Sequence, residues 1–197
     1  MCLKKNKLIF ILIFITFFLQ KNLMADENSI NKVINYLDNL HLFSASFIQN
    51  DGETLSEGLI SIGMKRIRVE YLTPSKILII LDDNKAMYYN YELQEDEFFD
   101  PSDTNAWFFY DIFNNPNFFF NSKLISTNNE LILSKKGENK DGQYKINIFF
   151  EEKPLVIRKI ELFLENSKIT LSLYNHLYEA QFDKNYFKLI NPKFFDE

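Results

Sequence analysis

Few residues in this chain have the types and spacings that carry out chemistry. Its two histidines, His41 and His176, lie far apart, with no cysteine or carboxylate at ligand spacing, so no metal site is expected. Neither a G-x-S-x-G elbow nor a phosphate-cradling P-loop occurs. Ser29-Ile30-Asn31-Lys32 has the S-x-x-K form, but its companion motifs are absent and it sits on a helical stretch. Asp82-Asp83 and the pair Asp100 and Asp103 are carboxylates of the kind used in acid–base work. They flank turns, where Asp serves as a turn former. Tyr88, Tyr89 and Tyr91 would make a ligand platform, although tyrosines spaced this way are commonly half-buried sheet residues. The chain therefore reads as a non-enzyme with no catalytic residue, no metal and no cofactor.

What remains is a pattern of strands around the stretch from Gly58 to Leu93. Ile67, Val69 and Tyr71 fall on one face at period 2, and Arg66, Arg68 and Glu70 on the other. Thr73-Pro74-Ser75 turns the chain. Lys76 to Leu81 is then an apolar run of the kind found in a strand covered on both faces, and Asp82-Asp83-Asn84 is the next turn. Upstream, Ile30, Val33, Ile34, Leu37 and Leu40 mark an amphipathic helix over 29–40, with Asp26 to Ser29 at its start. Phe43, Ala45 and Phe47 alternate with serines as a strand, Asp51-Gly52 turns, and Ile60 and Ile62 share a face on the return.

Downstream, residues 94–102 are acidic and turn-like. Asn105 to Phe113 reads NAWFFYDIF, with Asp103 or Thr104 as cap and Asn115-Pro116 as stop. A short helix bearing Trp107, Phe108, Phe109, Tyr110, Ile112 and Phe113 is apolar nearly all round, hence buried on most faces. This insert, about 100–121, interrupts the rhythm of the strands and reads as a lid. Period-2 strands resume through Leu131, Tyr144 to Phe150, Ile160 to Leu164 and Ile169 to Leu173, and one or two short strands are expected within 181–190. The expectation is a mainly β (α+β) fold: a strongly curved, incomplete antiparallel β-barrel of about ten to eleven strands, with an N-terminal helix and a helical lid.

At 197 residues the chain fits one domain with a full core. Its 21 phenylalanines suggest bulky walls around a space. The formal net charge of −5 gives little reason to bind nucleic acid or an anionic membrane through charge. Lys4, Lys5 and Lys7 precede an apolar stretch, Leu8 to Leu19, too short for a comfortable membrane span, and Leu23-Met24-Ala25 offers a cleavage site. Residues 1–25 thus read as a cleaved signal peptide and 26–197 as one exported domain, with a retained anchor as the alternative. Cys2, the sole cysteine, precedes the apolar stretch, so the mature domain would have no disulfide.

Taken together, four segments resemble the periplasmic outer-membrane lipoprotein carrier family, the LolA family. Ala45-Ser46-Phe47-Ile48-Gln49 is similar to its ASFTQ segment. Glu57-Gly58 followed by Ile67-Arg68-Val69-Glu70-Tyr71, with Pro74 behind, is similar to its FRWEY segment. Asp82-Asp83-Asn84-Lys85 with Tyr88 to Leu93 is similar to its DGK…YD.EL segment, and Pro154-Leu155 to Arg158, Ile169 to Asn175 and Asn191-Pro192 follow in order. The resemblance implies an incomplete barrel whose helices lid the concave side. It implies a periplasmic, monomeric carrier that shields the acyl chains of triacylated lipoproteins. Its partners would be an inner-membrane ATP-binding-cassette release complex and an outer-membrane acceptor lipoprotein. By correspondence and by strand face, Phe47, Ile60, Ile62, Ile67, Val69, Tyr71, Leu78 and Ile80 are expected to line the acyl-chain cavity. The family's Arg-Pro, which holds the lid shut, has no match in Gly63-Met64-Lys65-Arg66; Lys65 and Arg66 are the candidate lid locks, although a one-residue slip turns a side chain to the other face. The alternatives are a curved-sheet module sensing lipids or lipoproteins in the envelope, a membrane-tethered form that is both carrier and acceptor, and an envelope lipid hydrolase, for which no convincing nucleophile is present.

Overall fold

The computed structural model describes residues 21–127 and 130–195. Helix α1 (Lys21–Asp38) leads into six successive strands: β1 (Phe43–Asn50), β2 (Leu55–Gly63), β3 (Arg66–Thr73), β4 (Ile77–Leu81), β5 (Ala86–Asn90) and β6 (Glu95–Phe99). A crossing segment follows, with short 3-10 turns at Pro101–Asp103 and Pro116–Phe119 on either side of helix α2 (Ala106–Asn114). Five more strands complete the sheet: β7 (Lys123–Thr127), β8 (Glu130–Asn139), β9 (Gly142–Glu151), β10 (Val156–Phe163) and β11 (Lys168–Leu177).

All eleven strands form one antiparallel sheet in the order β6-β5-β4-β3-β2-β1-β11-β10-β9-β8-β7. The first and last strands meet in its middle. The chain meanders outward to the β6 edge, crosses to the β7 edge, and meanders back. The segment 100–122 is therefore the one connection between the two free edges, and it spans the concave side of an unclosed sheet.

Local chemistry explains the hairpins. Met64 and Lys65 form the β2–β3 turn with φ of 54° and 56°, the pair of positive angles that a two-residue hairpin turn requires. Gly58 in β2 has no room for a side chain: a Cβ there would lie 2.1 Å from the Glu70 carbonyl and 2.7 Å from the Phe47 ring. Its absence lets the Phe47 ring lie flat across β2.

The core sits on the concave side. Phe43, Ala45 and Phe47 of β1 stand beside Ile60 and Ile62 of β2, and Leu171 and Leu173 of β11, all buried. Val33, Leu37 and Leu40 are buried against this surface. Tyr36 closes the seat of α1: its ring meets Phe150 edge-on at 5.9 Å, and its oxygen accepts from the Ile157 amide at 3.1 Å.

Three expectations are corrected. The first helix begins at Lys21, so Asp26 to Ser29, read as its start, lie inside it. The signal-peptide stretch Leu8–Leu19 lies outside the described residues. Residues 95–99, read as turn-like, form the edge strand β6, whose Glu95, Asp96 and Glu97 are all exposed. Residues 181–190 form no strand. They fold as successive turns, Tyr186 N donating to Asp183 O and Lys188 N to Asn185 O, and lie as a strap over the convex face of β2–β5.

Candidate functional site: an apolar cleft beneath the lid

Alternation puts two different surfaces on β3. Its concave row is Ile67, Val69 and Tyr71, whose cross-strand partners in β4 are Leu81, Ile79 and Ile77. Its convex row is Arg68 and Glu70, opposite Ile80 and Leu78. Between the concave row and the start of the lid lies a cleft of about 180 Å³. Phe47, Ile60, Val69, Tyr71, Ile79 and Leu81 form its floor and wall. Ile169 and Leu171 of β11 close one side, and Asn105, Ala106 and Phe109 of the lid form the roof. Gln49 lies at the end of the β1 row, and its Oε1 accepts from the Tyr71 hydroxyl at 2.9 Å. Burial pushes the Tyr71 phenol up to about 12, so it stays protonated and remains that donor.

Of the eight residues expected to line a cavity, Phe47, Ile60, Val69 and Tyr71 do so. Ile62 and Ile67 share their face but are packed into the core beside the cleft. Leu78 and Ile80 are corrected: they lie on the convex face with Met87, Tyr89 and Leu189 in a separate small core. Ile79 and Leu81 take their place. The sequence signal for that parity was weak, because every position from Ile77 to Leu81 is apolar.

The lid lies on the concave side. Phe108, Ile112 and Phe113 are buried in the main core, while Trp107, Phe109 and Tyr110 are half-buried. Of the six, Phe109 alone lines the cleft. Trp107 stacks on Phe108 with centroids 3.8 Å apart, and meets Phe118 and Tyr144 edge-on at 6.0 and 5.9 Å. Phe108 meets Tyr144 at 4.7 Å. Tyr144 in turn lies over Gly137, where a Cβ would come within 2.4 Å of its ring. Asp103 pairs with Lys140 at 2.5 Å, and Lys135 Nζ donates to Phe120 O at 3.3 Å. The lid is thus held from β8, β9 and their hairpin.

The expected lid locks do not hold it. Lys65 occupies the exposed β2–β3 turn. Arg66 points to the convex side, where Nε donates to Asp82 at 2.7 Å and Nη1 to Phe187 O at 3.2 Å. Arg68, beside it, donates to Tyr186 O at 2.9 Å and lies 4.5 Å over the Tyr186 ring. Both arginines fasten the C-terminal strap, not the lid. The slip of one residue turns the cation away from the concave face.

Several other chemistry-bearing residues make contacts that support the fold. His176 bonds the Ile157 carbonyl at 2.7 Å, and burial pushes its pKa down. Asp100 accepts from Ser102 N at 2.8 Å as a turn cap. Tyr89 is buried on the convex face, 4.8 Å from Tyr91. Among the described residues, no three His, Cys, Asp or Glu side chains gather as a metal site, and no helix is long and apolar enough to cross a membrane.

No family model matches the sequence, and no curated protein does. Solved structures do. An uncharacterised conserved protein from Thermus thermophilus superposes with a TM-score of 0.53 at 7% identity, covering 81% of this chain and 93% of its own. A structure assigned provisionally to an outer membrane lipoprotein-sorting protein domain, from Vibrio parahaemolyticus, gives 0.48 at 8% identity, covering 81% and 95%. LprF from Mycobacterium bovis gives 0.43 at 7% identity, covering 80% and 96%. The first of these likenesses shows that this chain shares its fold with another protein.

Proposed function

We propose that this protein is an exported carrier of lipidated proteins, one that shields acyl chains between the inner and the outer membrane of a cell envelope. The observation that carries the reading is the apolar cleft between β3, β4 and the lid, with Phe109 above it and Val69 and Phe47 below. The ordered segments that resemble the lipoprotein carrier family, Ala45 to Gln49 and Ile67 to Tyr71, supply two of its walls. The basic and apolar N-terminal stretch supports export to the periplasm. An inner-membrane ATP-binding-cassette release complex as donor, and an outer-membrane acceptor lipoprotein, are part of the same proposal.

The energetics suit reversible carriage. Each methylene withdrawn from water contributes about 0.8 kcal/mol. The closed cleft, at about 180 Å³, is close to a cavity that holds one benzene-sized molecule. It admits the start of one chain; three full chains require Phe108, Ile112 and Phe113 to leave the concave face. Cargo then replaces contacts the lid already makes with the core, and net affinity stays modest enough for release.

The test uses the exported protein, purified without detergent and added to spheroplasts holding newly made triacylated lipoprotein. The expected result is soluble lipoprotein in a one-to-one complex, with loading lost in Val69→Glu. Lipoprotein that stays in the membrane, despite a competent release complex, would overturn the carrier role.

A further inference from the structure

The cleft is apolar except at one end, and that end carries an amide whose nitrogen has no protein partner among the described residues. The concave row of β1 runs Phe43, Ala45, Phe47 and then Gln49, a polar residue where the pattern calls for an apolar one. Its cross-strand neighbours are Ser56 and Leu171. Tyr71 donates to Gln49 Oε1 at 2.9 Å, which fixes the amide plane and leaves Nε2 as the free end. A primary amide has two N–H donors. Among the described residues, neither has a protein partner. Phe47 and Ile60, by contrast, are buried at 0% and 2% exposure, whereas Gln49 is half-buried and Asn105 across the cleft is exposed. The polar end is therefore the mouth. Asn105, the residue before α2, is a second polar residue of the lining, and its side chain makes no cap to α2.

We propose that the cleft, widened as the lid lifts, seats a single aliphatic chain tail-inward on Phe47 and Ile60, with a carbonyl oxygen at the mouth accepting a hydrogen bond from Nε2 of Gln49. This rests on the carrier reading and names the atom of the cargo that the protein recognises. A donor kept at the rim of an apolar site fixes orientation, because a chain inserted head-first would bury its carbonyl unpaired. Tyr71 is the positioning residue: it holds Oε1, so the donor end of the amide is the one presented. Ester, amide and carboxylate heads all offer the required oxygen.

Trp107 is the sole tryptophan and is stacked within the lid, so its emission reports lid position. The exported protein is titrated with methyl laurate, lauramide, laurate and dodecane, following Trp107 emission and binding heat. The carbonyl compounds are expected to bind about five- to tenfold tighter than dodecane, the worth of one hydrogen bond. Gln49→Leu should erase that preference, read as the ratio of carbonyl-compound to dodecane affinity. Gln49→Glu, which keeps the bond from Tyr71 and loses the donor, should erase it for the ester and weaken laurate further. Tyr71→Phe should shrink it without removing it. A preference confined to laurate assigns the oxygen to a free carboxylate; one shared by ester and amide assigns it to lipidated cargo. Equal binding of ester and dodecane by the native protein, or a preference that survives in Gln49→Leu, overturns this inference alone. Failure of the native protein to bind any of the four overturns the carrier reading with it.

Discussion

The lid meets the two halves of the sheet in different ways. Toward β7–β11 it is fastened, by the Trp107–Phe108–Tyr144 ring cluster, by the Asp103–Lys140 ion pair and by the Lys135 bond to Phe120 O. Toward β1–β6 α2 comes up to β3, and the cleft lies in the interval between Phe109 and Val69. The halves differ on the convex side as well. There the strap from Phe182 to Leu189 covers β2–β5, pinned by Arg66 and Arg68, with Phe187 buried beside Gly63. One half is thus a rigid wall, held from behind, that faces the cleft. On the carrier proposal the other half, which holds the lid by its ring cluster and lysine contacts, is the hinge side. The proposed carriage would use both: a wall that keeps its shape while cargo lies on it, and a lid that leaves from one side.

Three substitutions test this division, in order of expected size. Phe187→Ala empties the space beneath the strap and should cost about 3–5 kcal/mol in urea denaturation. It should do so without shifting Trp107 emission in the folded protein, since the strap and the lid lie on opposite faces; a shift would mean that the halves are not independent. Tyr144→Ala removes the ring against which Phe108 and Trp107 pack, and should cost about 1–3 kcal/mol. Here Trp107 emission should move to the red as the lid loosens, and acyl-chain loading should quicken. Unchanged emission would place the hinge elsewhere.

Asp111→Asn should have the smallest effect. Burial and the charge of Asp83 push the Asp111 carboxyl up, against the pull of the Asn115 amide, which donates to it at 3.2 Å, and of Lys135. A carboxyl whose pKa is raised on folding favours the folded lid when protonated. That contribution is full below the unfolded value of about 3.9 and fades as pH rises through the folded value. Asparagine keeps the bond to Asn115 without the charge. The variant should therefore have a slightly higher melting temperature at pH 7 and a flatter profile from pH 4 upward. Because the group is half-buried, solvent screening keeps the change small. A lower melting temperature at pH 7 would contradict it.

Strands with one covered and one charged face were legible in the sequence, because their alternation is explicit. Ile67, Val69 and Tyr71 against Arg66, Arg68 and Glu70 is the clearest case. The lid was legible for the opposite reason: six bulky apolar residues in seven positions leave no polar face to expose. Leu78 and Ile80 were assigned to the wrong side because β4 is covered on both, by the core and by Leu189, so its sequence carries no alternation. Strand β6 was hidden because, at an edge, its acidic residues are exposed on both faces and resemble a turn. The strap was mistaken for strands because Phe182, Tyr186, Phe187 and Leu189 are strand-forming types. Their backbone is held instead by Arg66 and Arg68, cations more than a hundred residues away. Gln49 was visible within a family-like segment, but its role depends on Tyr71, which only the register of β1, β2 and β3 brings beside it.

The measurement closest to the central claim places a photo-crosslinking phenylalanine analogue at Phe109, in the roof of the cleft, and separately at Tyr91, beyond the convex face, in cells fed radiolabelled palmitate. The expected result is a labelled lipoprotein adduct at position 109 and none at 91. Adducts at 91 alone, or at neither while lipoprotein export proceeds, would contradict an acyl-chain site beneath the lid.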